Sequence, residues 1–207
     1  MVNSVPDCDF TADYLTATEA DNLLAHCLTA LPWQQEDILL FGRTVAQPRL
    51  QVWMGEPDAV YRYSGTDFVP VPWDAQIRAL CTRLARDCGT RFNSVLCNLY
   101  QHGQHSMGWH ADDEPELGPE PVIASLSLGH ARRFVLRPRA KGNPDRHEWS
   151  LGHGDLLVMR GQTQQHWLHG IPKTRRAVGP RVNLTFRRLL GAEVSAGRAE
   201  SAEIDVG

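Results

Sequence analysis

Apolar positions recur with helical spacing at two places in the first half of the chain. Between Thr16 and Leu31, the residues Leu23, Leu24, Cys27, Leu28 and Leu31 follow one stripe. Thr16 and Glu19 have capping-box spacing, and Pro32 cannot continue the helix. Between Trp73 and Cys88 the stripe is Ile77, Leu80, Cys81 and Leu84, with Asp74 as the cap and Gly89 as the stop. Trp33 to Pro72 reads instead as short strands broken by turns, among them the alternating piece Tyr61-Arg62-Tyr63 before Ser64-Gly65. After Arg91 the period changes to that of strands. Ser94–Tyr100, Val122–Leu128, Arg133–Arg137, Glu148–Leu151, Asp155–Arg160, His166–His169 and Arg181–Leu189 alternate or run apolar between glycine-bearing turns. Two helices followed by many short strands predict an α+β, mainly β fold, a double-stranded β-helix (jelly roll) with the N-terminal helices packed on one sheet.

The division expected is 1–90 for the helical half and 91–190 for the jelly-roll core, the two forming one continuous domain. The small, polar and acidic stretch 191–207 is expected to be a disordered tail. A length of 207 residues suits one domain with a substantial core, and 42% hydrophobic with 22% charged residues is ordinary for a globular protein. No run approaches a membrane span, and the start carries no secretory pattern. Five cysteines, an odd number without paired metal spacing, read as reduced thiols inside a cell.

A net charge of −3 argues against nucleic-acid binding until its distribution is considered. Arg132, Arg133, Arg137, Arg139, Lys141 and Arg146 face a single acid, Asp145, within fifteen residues, and Lys173, Arg175 and Arg176 form a second group. Nineteen of the 21 basic residues are arginine, the type suited to two-pronged grips on phosphate or carboxylate. Each cluster reads equally as a solvated basic face.

The candidate chemistry centres on His110-Ala111-Asp112. On an extended strand a histidine and a carboxylate two residues apart point the same way. One further histidine would complete a two-His, one-carboxylate set, which holds an Fe(II)-type ion and leaves positions open for chemistry. His166 and His169 are the candidates; three apart, they fall on opposite faces of a strand. His169 is preferred for its place twelve residues before Arg181. In Arg181-Val182-Asn183-Leu184-Thr185-Phe186-Arg187 the polar residues share one face and the apolar ones the other. The two arginines lie roughly 20 Å apart at about 3.3 Å per residue, a gap that suits a small dicarboxylate between their side chains. Pairing with acids elsewhere in the fold is the other reading of the two arginines. His153-Gly154-Asp155 has the same spacing but stands in a turn, where Asp155 satisfies local backbone groups.

Asn98-Leu99-Tyr100, His110-Ala111-Asp112-Asp113-Glu114, Ile123-Ala124-Ser125-Leu126-Ser127, Trp167-Leu168-His169-Gly170-Ile171-Pro172 and Pro180-Arg181-Val182-Asn183-Leu184-Thr185-Phe186-Arg187 follow one another in order. In this combination the chain resembles the AlkB family of Fe(II)- and 2-oxoglutarate-dependent dioxygenases. The resemblance implies that His110, Asp112 and His169 bind Fe(II). It implies that Arg181 and Arg187 hold the carboxylates of 2-oxoglutarate, helped by Asn98, Tyr100 and Asn183. The reaction implied couples decarboxylation of 2-oxoglutarate by O2 to hydroxylation of an N-alkyl group, which leaves as formaldehyde. The substrate implied is alkylated DNA, with bases of the 1-methyladenine or 3-methylcytosine type flipped from the stack.

Tyr61-Arg62-Tyr63-Ser64-Gly65 resembles the family's aromatic lid, which puts Tyr61 and Tyr63 beside the base, and Glu114 aligns with an acid near its edge. Leu40-Phe41-Gly42 resembles the finger of duplex-acting homologues, with Phe41 as wedge; packing in the core is the other reading of Phe41. Arg137, Arg139, Lys173 and Arg175 would grip phosphates from flexible loops that carry charge without an aromatic platform. The expected form is a monomer away from membranes, cytoplasmic in a bacterium and nuclear in a eukaryote. The alternatives are the same chemistry on RNA or a protein side chain, a cupin-like ligand binder without oxidation, and a nucleic-acid module without catalysis.

Overall fold

The computed structural model describes residues 5–40, 43–63, 66–140 and 142–190. In chain order the first half forms β1 (Cys8–Thr11), α1 (Ala17–Ala30), β2 (Asp37–Leu40), β3 (Arg43–Ala46), β4 (Leu50–Gly55), β5 (Tyr61–Tyr63), β6 (Thr66–Phe68) and α2 (Ala75–Cys88). The second half forms β7 (Ser94–Tyr100), β8 (Met107–His110), β9 (Ile123–Gly129), β10 (Arg132–Pro138), β11 (His147–Leu151) and β12 (Leu156–Met159). The one-turn α3 (Thr163–His166), β13 (Trp167–Ile171) and β14 (Arg181–Arg187) complete it. Phe41, the candidate wedge, and 191–207, the expected tail, lie outside the described residues.

Both long helices begin and end where the sequence places their signals. Thr16 and Glu19 cap α1 reciprocally. Asp74 accepts from the backbone N–H groups of Gln76 and Ile77, and Gly89 closes α2 in the left-handed region (φ 65°). The helices cover one face of a six-stranded antiparallel sheet ordered β1-β12-β9-β14-β7-β4. Ala20, Leu23 and Cys27 of α1 and Ile77, Leu80 and Leu84 of α2 meet Leu126, Val182, Leu184 and Phe186 of the sheet. Each such aliphatic or aromatic burial contributes about 1.5–3 kcal/mol.

A second sheet, β11-β10-β13-β8, faces the other side of the large one and closes the jelly roll. Ile123, Phe134, Leu136, Leu157, Met159 and Trp167 fill part of the space between the sheets. The rest is lined by the polar face of β14. That strand is central, paired with β7 on one side and β9 on the other. Its alternation therefore divides Val182, Leu184 and Phe186, under the helices, from Arg181, Asn183, Thr185 and Arg187, inside the roll.

Three local expectations are corrected. His166 is not on a strand: it ends α3, and its Nε2 lies 3.2 Å from Gln162 Oε1, so β13 begins at Trp167. Two short strands at the sheet edges, β1 and β8, are absent from the strands that the sequence pattern marks. The strand expected at Arg133–Arg137 is β10, so Arg132 and Arg137 stand on a strand and not on a flexible loop, and of its first five residues only Arg133 is exposed.

Candidate active site

Antiparallel pairing sets His110, the last residue of β8, directly opposite His169 of β13. Cross-strand neighbours stand close enough to share a ligand, and the two rings lie with centroids 4.2 Å apart. Asp112 follows β8 by two residues and brings its carboxylate to the same point. One donor atom from each of His110, Asp112 and His169 lies within 4.8 Å of the others. Gly170 permits this approach, since a Cβ there would come within 3.0 Å of Met107 O and 3.2 Å of Gly108 O.

The protonation states suit a metal. His110 Nδ1 lies 2.9 Å from the Gly108 carbonyl, which can only accept, so Nδ1 carries the proton and Nε2 is the free donor. Burial and the neighbouring His110 pull His169 down to about 3, so it is a neutral imidazole at ordinary pH. Burial works to raise the Asp112 carboxyl, but Arg187 and the two histidines hold it below its usual value. Its Oδ1 accepts from Arg187 Nη2 at 2.8 Å. Its buried Oδ2 accepts no hydrogen bond among the described residues and faces His169 Nε2 at 4.0 Å. A buried anionic oxygen left without a donor costs free energy unless a cation satisfies it.

At the other end of β14, Arg181 is 1% exposed. Its Nη2 donates to Ser127 Oγ at 2.8 Å, and its guanidinium carbon lies 5.3 Å from the centre of the Tyr100 ring. Nε and Nη1 reach no acceptor among the described residues. Burial lowers its pKa to about 10, so it stays cationic, and no carboxylate pairs with it among the described residues. Asn98, Tyr100 and Asn183 line the same interior pocket as Arg181, Arg187 and the His-Asp-His cluster. The two arginines thus differ in their partners: Arg187 grips the cluster's own carboxylate, whereas Arg181 has donors to spare.

A wider cavity of about 210 Å³ opens from the cluster to the surface, lined by His110, Asp112, Glu114, Arg49, Gln51 and Val71 among others. The hairpin β5–β6 carries Tyr61 opposite Phe68 and Tyr63 opposite Thr66 in its backbone register. Outside the roll, Arg139 Nη2 meets Asp113 Oδ2 at 2.6 Å. Lys173 and Arg175 are exposed and make no ion pair among the described residues. Arg132 cannot join a phosphate grip, because it is 4% exposed and donates to the carbonyls of His102, His105 and Pro172. Nor does Arg137 lack an aromatic partner, for its guanidinium carbon stands 4.5 Å from the centre of the Trp109 ring.

Three functional side chains escaped the sequence reading. Gln164 of α3, 1% exposed, accepts from the Asp112 backbone N–H at 3.0 Å. Arg49 Nε donates to Asn98 Oδ1 at 2.7 Å, and its Nη2 donates to Gln51 Oε1 at 3.2 Å. With its oxygen so engaged, Asn98 has its amide N–H groups left to donate. Arg49 and Gln51 alternate with Leu50 and Val52 as Arg181 and Asn183 do with Val182 and Leu184, and that pattern could have flagged them. Gln164 sits in a one-turn helix without any periodic signal. The turn histidine motif, by contrast, behaves as expected: Asp155 accepts from the backbone N–H groups of Asp13 and Gly152.

Comparison with known proteins agrees with this geometry. A model of the 2OG-Fe(II) oxygenase superfamily, whose reactants are Fe(II), 2-oxoglutarate and O2, matches residues 7–187. The human alpha-ketoglutarate-dependent dioxygenase alkB homolog 3 is 42% identical over 182 residues, covering 84% of this chain and 63% of that protein. The chain thus spans somewhat under two thirds of that relative's length. The mouse DNA oxidative demethylase ALKBH2 is 35% identical over 192 residues, covering 88% of this chain and 80% of that protein. In fold, the solved structure of OsALKBH1 superposes with a TM-score of 0.66 at 14% identity, over 89% of this chain and 99% of that one. No helix among the described residues is long and apolar enough to cross a membrane. With a jelly roll, an interior His-Asp-His cluster and relatives of this identity, the chain belongs to the AlkB family of 2-oxoglutarate- and Fe(II)-dependent oxygenases.

Proposed function

We propose that the protein is an oxidative demethylase of N-alkylated bases in DNA, of the 1-methyladenine and 3-methylcytosine type. The observation that carries this reading is the presence, in one pocket, of two buried charged groups with atoms left over after their protein contacts: Asp112 Oδ2, and Nε and Nη1 of Arg181, which reach no hydrogen-bond partner among the described residues. The first calls for a cation and the second for an anion, which is what Fe(II) and a dicarboxylate supply. A cupin-like ligand binder would have no need of both. His110 Nε2, Asp112 Oδ2 and His169 Nε2 would hold the iron, and Arg181, with Arg187, Asn98, Tyr100 and Asn183, would hold 2-oxoglutarate. Iron so bound supplies activation of O2 coupled to decarboxylation, and so hydroxylation of the N-alkyl carbon.

The chain's own residues do the rest. Arg49 fixes the Asn98 amide so that it donates into the pocket. Phe134, with its ring centroid 5.4 Å from that of His169, keeps water from that side. Glu114 at the cavity wall offers a carboxylate to the edge of a flipped base, and an alkylated adenine or cytosine of this type is cationic. Tyr61 and Tyr63 on the β5–β6 hairpin form the lid, and Phe41 is the wedge in a duplex. Arg137, Arg139, Lys173 and Arg175 hold phosphates. The two stretches 1–90 and 91–190 work as one unit, since β1 and β4 complete the sheet of the second half. Free cysteines throughout the described residues suit a reducing interior, where the protein acts as a monomer.

The test is mass spectrometry of methylated DNA and RNA oligonucleotides incubated with the protein, Fe(II), ascorbate and 2-oxoglutarate. Loss of a methyl mass from 1-methyladenine or 3-methylcytosine with matching formaldehyde and succinate is the expected result. Decarboxylation without loss of methyl from any nucleic acid would refute the substrate assignment. Turnover of RNA alone would move it to the other polymer.

A further inference from the structure

Trp109 has no part in the site described so far, yet its position is unusual. It lies on β8, the outer strand of the small sheet, one residue from His110, and it is 42% exposed. A large exposed aromatic on an unpaired sheet edge invites association and is ordinarily avoided. This one is also held in place. The Arg137 guanidinium carbon sits 4.5 Å from the ring centre, and the buried Arg137 Nε reaches no hydrogen-bond acceptor among the described residues. A single guanidinium occupies one face of an indole, and the exposed area leaves the remainder of the ring open. Arg137 pairs with no acid among the described residues, whereas Arg139 is ion-paired with Asp113.

A rigid aromatic with an adjacent unpaired cation suits a nucleotide, with the ring for the base and the charge for its phosphate. We propose that Trp109, backed by Arg137, is a stacking platform for an unpaired nucleotide next to the target base, and that it favours single-stranded substrate. This rests on the nucleic-acid reading above. Trp109 and the candidate iron ligand His110 are consecutive on the edge strand β8, so their side chains point to opposite faces of the small sheet. A strand whose target base enters the cavity at His110 would pass round this edge and bring a flanking nucleotide to the ring. In a duplex that neighbour stays stacked and paired, and the ring has no free base to accept.

The test needs no turnover. Equilibrium binding of the full chain to an unmodified, fluorophore-labelled single-stranded oligonucleotide is compared with binding to a hairpin duplex of the same composition. Trp109→Ala should weaken single-strand binding about tenfold, within the range of one aromatic–base stack. Trp109→Phe should recover most of it, and duplex binding should fall less than about twofold in either variant. Unchanged single-strand binding in Trp109→Ala overturns the proposal. So does an equal loss on both forms, which would mean contact with the backbone alone, and so does Trp109→Phe failing like Trp109→Ala, which would mean that stacking is not involved. Demethylation measured separately keeps the two readings apart. A protein that binds single strands through Trp109 but demethylates nothing refutes the proposed reaction and leaves the platform intact.

Discussion

Gln164→Leu perturbs the cluster without touching any group that would bind iron. In the structure the Gln164 side chain is 1% exposed, its Oε1 accepts from Asp112 N at 3.0 Å, and its Nε2 lies 3.3 Å from Met159 Sδ. Leucine has similar bulk but no acceptor, so the Asp112 N–H is left buried and unsatisfied. That costs about 1–3 kcal/mol. For a chain of this size each kcal/mol lowers the melting temperature by about 2–4 °C, so a mid-range cost of about 2 kcal/mol gives a fall of about 4–8 °C. A second effect falls on the metal. With its backbone no longer pinned, Asp112 can turn its carboxylate away from the histidines, and loss of such supporting contacts commonly weakens metal binding 10–100-fold. The assay is thermal unfolding with and without Mn(II) as an inert substitute for Fe(II). At a hundred times the dissociation constant the metal stabilises the native protein by about 2.7 kcal/mol, and a tenfold loss of affinity reduces this to about 1.4 kcal/mol at the same concentration. The variant should thus melt lower as apoprotein and gain less from metal. A variant with unchanged melting and unchanged metal stabilisation would refute the positioning role of Gln164.

Arg181→Lys and Arg187→Lys keep the charge but lose the two-pronged fork, so the constant for 2-oxoglutarate should rise about tenfold or more in steady-state kinetics, at ~1.4 kcal/mol per decade; unchanged constants in both would remove them from that role. Asp74→Ala removes the cap of α2 and should cost about 1 kcal/mol in denaturant unfolding. Burial opposes, but the bond to His26 and the two backbone donors hold the Asp74 carboxyl below its usual value, so this contribution is present above the ordinary aspartate pKa and is lost as pH falls through the depressed one. His169 has a linkage of the same sign, acting from a higher pH. Its folded pKa near 3 lies below that of the unfolded chain, so protons favour unfolding, and the stability of the apoprotein should fall as pH drops from about 6.5 towards 3. His169→Gln should flatten that slope, and an unaltered slope would place the acid sensitivity elsewhere.

Much of the architecture was legible because it rests on local rules. The capping box at Thr16 and Glu19, the cap at Asp74 and the stop at Gly89 act over a few residues, and the structure has each where the sequence puts it. The alternation of Arg181 to Arg187 was equally plain, since a central strand has two unlike faces and each imposes its own residue type. His110, Asp112 and His169 could be named from spacing and resemblance. What brings them together, however, is the cross-strand register of β8 and β13, and register depends on partners 59 residues apart in sequence. Spacing places His166 and His169 on opposite faces of one strand, and only the tertiary fold shows that His166 belongs to a helical turn. The same limit applies to the basic stretch. Composition treats Arg132, Arg137 and Arg139 alike, but pairing of β10 sends Arg132 inward to three carbonyls, Arg137 onto Trp109 and Arg139 to Asp113. Charge is a property of the residue, whereas its partner is a property of the fold. For the same reason Gln164 and Arg49 were visible only in three dimensions: each acts by hydrogen-bonding one group brought to it from a distant segment.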